Sequence, residues 1–206
     1  MANKVFISFR FKDGNYYKEK LEEKFKNNTD VINCSESIDR SQMSESTIKK
    51  YLYDKLRTTS VTIVILTPES INYKKDLFGN IDDWLYDELR YSLDDREGNR
   101  SNAIIAVYTP EAKKYVIESN DLDNTITIKN FNNLVRKNMF NIKQAYKYDK
   151  TSKYYNSNYD HYCSLISWED FINNPNKYIN IAIEKRDNIN HYEIIKRIQT
   201  DTRYYW

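Results

Sequence analysis

The sequence predicts an α/β fold in which helices cover both faces of a doubly wound parallel sheet. Three short apolar runs rich in β-branched residues, at residues 5–9, 61–66 and 103–107, support this prediction. Continuous apolar runs of this length are typical of parallel strands that are buried on both faces. Segments with apolar residues at helical spacing lie between them, and this alternation favours right-handed crossover connections within one sheet.

Each element up to residue 110 has a local signal. The first strand is followed by a break at Asp13-Gly14 and then by a helix. Val31 and Ile32 predict a short second strand, which a polar loop over residues 35–44 links to the next helix. The predicted helical stripes are Tyr17, Leu21 and Phe25 in the first helix, Ile48, Leu52 and Leu56 in the second, and Leu85, Leu89 and Leu93 in the third.

The second half of the chain is less regular. Residues 111–160 are rich in Asn, Lys and Tyr, and the alternation at residues 125–128 predicts an insertion or an edge hairpin. The pattern at residues 163–168 predicts another strand. It is followed by a helical turn and by two predicted helices, over residues 178–186 and 189–198. Since no repeat or linker separates these parts, we expect one domain over residues 1–206, with a core formed by residues 1–110 and 161–200.

Composition and charge exclude several classes of protein. The chain has 32 basic and 30 acidic residues and a net charge of +2, so we expect no nucleic-acid partner. Cys34 and Cys163 are far apart, which predicts two free thiols inside the core of a protein from a reducing compartment. The first apolar run is too short for a signal peptide or a membrane span, so we expect a cytoplasmic protein without membrane contact.

Several catalytic motifs are missing from the sequence. Three isolated glycines cannot build G-x-G-x-x-G or G-x-x-x-x-G-K-[ST], and G-x-S-x-G is also absent. The third strand ends at Leu66-Thr67-Pro68, where a receiver protein would need an aspartate. His161 and His191 have no metal-ligand spacing, so we expect structural or surface roles for them and no metal site.

Polar residues follow the predicted carboxyl ends of the strands, where open α/β sheets bind their ligands. Trp84 and Glu88 stand i, i+4 on one face of the third helix, beside the stripe that packs on the sheet. Glu88 is therefore expected at the margin of the core, partly desolvated and still accessible. The other polar residues at these strand ends are Ser8, Arg10 and Asp13 after the first strand, Asp39 to Ser41 after the second, and Thr67 after the third. Asp13 is expected to cap the first helix.

Five separated motifs resemble the TIR-like family of bacterial Thoeris ThsB proteins. They are residues 5–9, residues 59–66, the pattern Trp84-x-x-x-Glu88 with Ser92, residues 103–105 and residues 167–171. They occur in the same order over most of the chain, with residues 111–160 least supported. The resemblance implies a flavodoxin-like TIR fold with sheet order 2-1-3-4-5. It also implies cleavage of NAD⁺, as a substrate and not as a cofactor, at the nicotinamide ribosyl bond.

The resemblance also implies roles for individual residues. Glu88 would be the catalytic residue, because a carboxylate can stabilise the oxocarbenium character that develops on the ribose. The residues implied in substrate binding are Ser8, Phe9, Arg10, Asp39, Ser41, Thr67 and Trp84. The loop over residues 35–44 would cover the pocket and mediate self-association. The chain departs from the family at Arg10, where many relatives have His, and at Leu85, where most TIR enzymes have Cys.

The predicted function is a TIR-type enzyme of antiphage defence that consumes NAD⁺ and makes a cyclic ADP-ribose-type or ADP-ribose-conjugate signal. Its expected partners are a phage-derived trigger protein, a nucleotide-sensing effector reached through the product, and further copies of the chain. One alternative is a non-catalytic TIR-like module for oligomerisation or interaction. Another is a nucleoside N-glycosidase or deoxyribosyltransferase, which uses a glutamate on a related sheet.

Overall fold

A five-stranded parallel sheet forms the centre of the molecule, whose computed structural model describes residues 2–34, 45–79, 81–95, 100–120 and 125–198. The strands within these residues are β1 (Asn3–Ser8), β2 (Val31–Asn33), β3 (Val61–Leu66), β4 (Ala103–Tyr108), β5 (Ile117–Asn120), β6 (Thr125–Ile128) and β7 (Ser164–Ser167). The sheet order is β2-β1-β3-β4-β7, and every neighbouring pair is parallel. Because β7 is the fifth strand of this sheet, the order is the predicted 2-1-3-4-5.

Helices cover both faces of the sheet, as the sequence predicts. The helices are α1 (Phe11–Lys26), α2 (Glu45–Arg57), α3 (Trp84–Leu93), α4 (Lys113–Val116), α5 (Leu134–Lys137), α6 (Trp168–Asn173) and α7 (Pro175–Asp187). Alternate residues of β3 separate the two layers, since Ile63 and Ile65 face α1, α6 and α7 while Val64 and Leu66 face α3. All six residues of β3 are buried, which accounts for its continuous apolar run.

Residues 111–160 contain a hairpin, as predicted, but it pairs apart from the main sheet and does not extend the edge of that sheet. β5 and β6 form a separate antiparallel pair, and α5 and a 3₁₀ turn at Gln144–Tyr146 follow. Val116, Phe131 and Leu134 are buried in the same cluster as Leu85 and Leu89 of α3. This segment therefore adds apolar contacts to the layer that carries the third helix.

The first helix begins at Phe11, two residues before the predicted break at Asp13-Gly14. Arg10 is its extended N-cap residue, and the backbone N–H of Gly14 donates to the Arg10 carbonyl at 2.8 Å. Asp13-Gly14 therefore lies in the first turn. A Cβ on Gly14 would stand 3.2 Å from the Cβ of Phe9, so glycine lets α1 begin directly against the end of β1.

The prediction of a helix over residues 189–198 is wrong. Only a 3₁₀ turn forms, at Ile189–His191, and the chain then runs without a helix to Ile198. Buried Asn138 holds this tail: its Nδ2 donates to the Ile195 carbonyl at 2.7 Å, and its Oδ1 accepts from the Ile195 N–H at 2.8 Å. These tertiary hydrogen bonds replace the local bonds of a helix.

The two cysteines are free thiols in different environments. Cys163 is fully buried in the core cluster, as expected, whereas Cys34, which follows β2, is only half-buried. The prediction that both are core residues is therefore wrong for Cys34. None of the helices in the ranges described above has the length and apolar composition that a bilayer span requires.

Candidate functional site

The carboxyl end of β1 meets the middle of α3 in one polar contact. Ser8 ends β1 and is fully buried, and its hydroxyl donates to the Oε2 atom of Glu88 at 2.5 Å. The two residues are 80 positions apart in the chain, so only the fold brings them together. The half-buried Glu88 carboxylate thus lies at the edge of the sheet where ligands of open α/β folds bind.

Local sequence sets the direction of α3 and of its glutamate. Leu85, Leu89 and Leu93 are all buried, which places Glu88 at the side of the apolar stripe. Trp84, one turn before Glu88, is 42% exposed, so its indole is accessible beside the carboxylate. Leu85 points into the core, and the residue type at that position therefore changes packing more directly than it changes the crevice.

Asp83 connects three parts of the site. As the N-cap of α3, it accepts from the Leu85 N–H at 3.0 Å through Oδ1. Its Oδ2 accepts from the Lys74 N–H at 2.7 Å and from Nη2 of Arg10 at 2.5 Å. The Arg10 and Asp83 side chains are only 11% and 1% exposed, so this ion pair is shielded from water.

Sequence reasoning missed the role of Asp83, although one signal was available. An aspartate directly before an apolar-periodic run is a typical N-cap residue. The same signal gave no indication that the second carboxylate oxygen holds Arg10 and the segment that leads into α3. That segment folds back on itself through an antiparallel bridge between Lys75 and Ile81.

Two buried polar atoms near the end of β1 make no hydrogen bond within the described ranges: Nε of Arg10 and Oδ1 of Asp13. The other oxygen of Asp13 accepts from the Glu69 N–H at 3.2 Å, which links the start of α1 to the turn after β3. Asp13 therefore does not cap α1, whose N-cap is Arg10. Unpaired buried atoms of this kind are costly, and a polar ligand would satisfy them.

The remaining predicted site residues have different surroundings. Thr67 is buried, and both its N–H and its hydroxyl donate to the Ser70 hydroxyl, at 2.7 and 3.1 Å, which closes the turn after β3. Phe9 is half-buried and packs against the layer of α1. Asp39 and Ser41, with the whole loop of residues 35–44, lie outside the described residues.

A buried polar network anchors α3 to the sheet behind Glu88. The Ser92 hydroxyl donates to the Glu88 carbonyl at 2.8 Å and lies 2.8 Å from the Thr62 hydroxyl. Nδ2 of Asn102 donates to the same Thr62 hydroxyl at 3.1 Å. Ser92 of the Trp84-x-x-x-Glu88 motif thus fixes the helix against β3.

The two histidines have surroundings that fit structural roles. His161 is 2% exposed, and burial, together with the charges of Lys185 and Arg136, lowers its pKa to about 3. His191 stacks on the ring of Tyr146, with centroids 3.8 Å apart. Over the residues that the structure describes, no group of three or more His, Cys, Asp or Glu side chains could hold a metal ion.

The fold defines the class of protein. A parallel sheet of order 2-1-3-4-5 with helices on both faces is a flavodoxin-like α/β fold, and it is consistent with a TIR-like protein. The sequence profile of the family described as Thoeris protein ThsB, TIR-like domain, matches residues 6–114, which is more than half of the chain. The chain therefore belongs to the ThsB TIR-like family, and this supports a role in Thoeris antiphage defence. The matched range includes Ser8, Arg10 and Glu88 and ends within α4.

Proposed function

We propose that this protein cleaves the nicotinamide ribosyl bond of NAD⁺ and converts the remainder into an ADP-ribose-type signal. The observation that supports this most strongly is the 2.5 Å contact of Ser8 and Glu88 at the carboxyl edge of the sheet. Both residues lie in the part of the chain that the family profile matches. The contact joins a half-buried carboxylate and a hydroxyl donor in one place beside an exposed indole.

In the proposed reaction, Glu88 stabilises positive charge on the ribose. As the bond between C1′ and the nicotinamide nitrogen breaks, its electron pair leaves with nicotinamide and the ribose gains oxocarbenium character. A nucleophilic group of the same molecule, for a cyclic product, or of an acceptor molecule, for a conjugate, then forms the new bond to C1′. Nicotinamide in NAD⁺ is already cationic, so its departure needs no strong general acid. A single carboxylate that also accepts hydrogen bonds from the ribose hydroxyls is then sufficient.

The neighbours of Glu88 would position the carboxylate and the substrate. Ser8 holds one carboxylate oxygen before substrate binds, which limits the rotamers of Glu88. Trp84 offers an accessible aromatic face one helical turn away. Arg10 contributes a guanidinium near the same strand end, where its ion pair with Asp83 holds it.

Nicotinamide release by the purified full chain, measured with and without lysate from phage-infected cells, tests this proposal. We expect Glu88→Gln to reduce release to the uncatalysed level, because the amide cannot balance the developing positive charge. Glu69→Gln is the matched control, since Glu69 is an exposed glutamate at the same edge of the sheet, where it pairs with Lys12. Full activity of Glu88→Gln in the activated sample would contradict the proposed mechanism.

A non-catalytic interaction module is the second candidate, and one observation favours it. Ser8 is paired with Glu88, and Arg10 with Asp83, so these polar groups stabilise the fold without any ligand. Thermal unfolding in the presence of a non-hydrolysable NAD⁺ analogue separates the two functions. An enzyme should show a saturable rise of Tm that Glu88→Gln or Ser8→Ala changes, whereas a module without a pocket should show no such rise.

A further inference from the structure

We propose that residues 143–159 form a docking surface for an acidic protein partner. We call these residues the tyrosine–lysine surface. Its five tyrosines are all exposed: Tyr146 by 48%, Tyr148 by 66%, Tyr154 by 57%, Tyr155 by 41% and Tyr159 by 37%. Elsewhere in the described residues only Tyr16 and Tyr115 are exposed to a similar degree. The tyrosine-rich composition of the chain does not account for this concentration in one short segment.

Charge is concentrated in the same place. The segment contains four lysines, of which Lys147 is buried, and one aspartate. Its formal charge is therefore +3 in total and +2 from the exposed residues, whereas the whole chain carries +2. The rest of the chain is therefore close to neutral. Because the remainder of a second copy has a net charge near zero, an acidic surface of a different protein is the better electrostatic match.

Internal hydrogen bonds hold the segment in one conformation. The two carboxylate oxygens of buried Asp160 accept from the backbone N–H groups of Tyr148 and Asn156, at 2.8 and 2.7 Å. Asp149 accepts from the N–H of Thr151 at 3.0 Å, and buried Lys147 donates to the Ser152 carbonyl. Because these bonds exist before a partner arrives, docking costs little additional conformational entropy.

The aromatic rings are themselves fixed by their neighbours. Two contacts are between stacked rings: the centroids are 3.8 Å apart for Tyr146 and His191 and 5.2 Å apart for Tyr148 and Tyr159. In two others, a lysine Nζ atom lies over a tyrosine ring, 4.5 Å from the centroid for Lys147 and Tyr155 and 5.1 Å for Lys153 and Tyr154. The five hydroxyls make no hydrogen bond within the described ranges. They are therefore available as donors.

This arrangement fits carboxylates better than nucleobases. Single-stranded nucleic acids bind by stacking bases on aromatic faces, and here the ring neighbours leave at most one face of each ring for a base. Hydroxyl donors beside exposed ammonium groups, such as those of Lys150 and Lys153, match the acceptor oxygens of Asp and Glu side chains instead. Tyrosine is also enriched where protein interfaces gain most of their binding energy.

Fluorescence anisotropy with labelled poly-L-glutamate tests the proposal on the full chain. We expect saturable binding that weakens with salt and that becomes about tenfold weaker in Tyr148→Ser/Tyr154→Ser. Lys150→Ser/Lys153→Ser should weaken binding to a similar degree. Tyr16→Ser/Tyr115→Ser is the matched control, because it removes two equally exposed tyrosines outside the surface and should bind like the wild type. The Tm of each variant checks its folding.

Three results would overturn the proposal. The first is an absence of saturable binding to poly-L-glutamate by the folded wild-type chain. The second is an equal loss of affinity in the control variant, which would place the contact elsewhere. The third is tighter binding of labelled oligothymidylate than of poly-L-glutamate, which would identify a nucleic-acid surface.

Discussion

At the scale of single residues, Asp83 determines how the candidate site is assembled. Its carboxylate caps α3, holds the Lys74 backbone and pairs with Arg10. Removal of this side chain would leave a shielded guanidinium without its counter-ion in addition to the loss of a helix cap. Asp83 therefore contributes to stability and to the geometry around Glu88 at the same time.

We expect Asp83→Ala to lower the free energy of unfolding by about 3–5 kcal/mol, most of it from the unpaired Arg10. Urea denaturation followed by circular dichroism measures this change. Asp82→Ala is the control, because Asp82 is the exposed neighbour of Asp83 and its replacement should cost less than about 0.5 kcal/mol. Equal stabilities of the two variants would show that the buried pair is energetically neutral.

Buried His161 makes stability depend on pH in the acidic range. Burial is the main cause that lowers its pKa from 6.5 to about 3, so the native state keeps the ring neutral. As the pH falls from about 6.5 towards 3, the unfolded state takes up a proton that the native state does not bind, and the native state loses stability. Above pH 6.5 this contribution is fully present.

The expected loss over this range is on the order of 4 kcal/mol, at 1.36 kcal/mol for each pKa unit. Unfolding free energies measured at several pH values should show the slope in the wild type and a flatter profile in His161→Phe. The ring of Phe140 lies 4.4 Å away and provides an aromatic contact for the substituted ring. An identical slope in the two proteins would assign the acid sensitivity to other groups.

At the scale of elements, the strands and α3 could be predicted from the sequence because their signals are local. β3 is an uninterrupted apolar run whose predicted bounds, residues 61–66, agree with the structure. The predicted stripe of Leu85, Leu89 and Leu93 is buried in α3. The start of α1 could not be predicted in this way. It depends on the close packing of Gly14 on Phe9, which no local pattern encodes.

In the tail after α7, the local sequence pattern predicts the wrong structure. The spacing of Ile194, Ile195 and Ile198 is helical, yet Asn138 binds both backbone groups of Ile195. Residue type and spacing cannot reveal this bond, because its partners are 57 positions apart. Tertiary contact therefore overrides local propensity here.

Asn138→Ala should release this tail, since the backbone groups of Ile195 lose both partners and the substitution removes a third bond, to the Leu134 carbonyl. We expect a loss of about 2–4 kcal/mol. Hydrogen exchange with mass spectrometry should show faster exchange in residues 189–198. Asn132→Ala, at an exposed position nearby, should leave that exchange unchanged; if it does not, the tail is held by other contacts.

At the scale of the whole molecule, the candidate site depends on the convergence of distant segments. Ser8, Glu88 and Arg10 could each be selected from the sequence by their positions after strands and on a helix. Their pairing with one another and with Asp83 could not be predicted, because it requires the register of β1 beside β3 and the angle of α3. The candidate residues could thus be predicted from the sequence, whereas the contacts between them follow only from the fold.

We expect the chain to unfold as one domain. Val116, Leu134 and Tyr162 from the second half share a buried cluster with Leu85 and Leu89 of α3, so the two halves stabilise each other. Thermal unfolding monitored by tryptophan fluorescence and by far-UV circular dichroism should give coincident transitions with one Tm. Two separate transitions, or a stable fragment of residues 1–110, would contradict a single domain.

Mass spectrometry of NAD-derived products tests the central claim most directly. Extracts would come from phage-infected cells that express the wild-type chain, Glu88→Gln or the control Glu69→Gln at equal protein levels. The proposed function predicts a new ADP-ribose-type nucleotide and depleted NAD⁺ in the wild type and the control, and neither in Glu88→Gln. The same product at the same level in Glu88→Gln would contradict it.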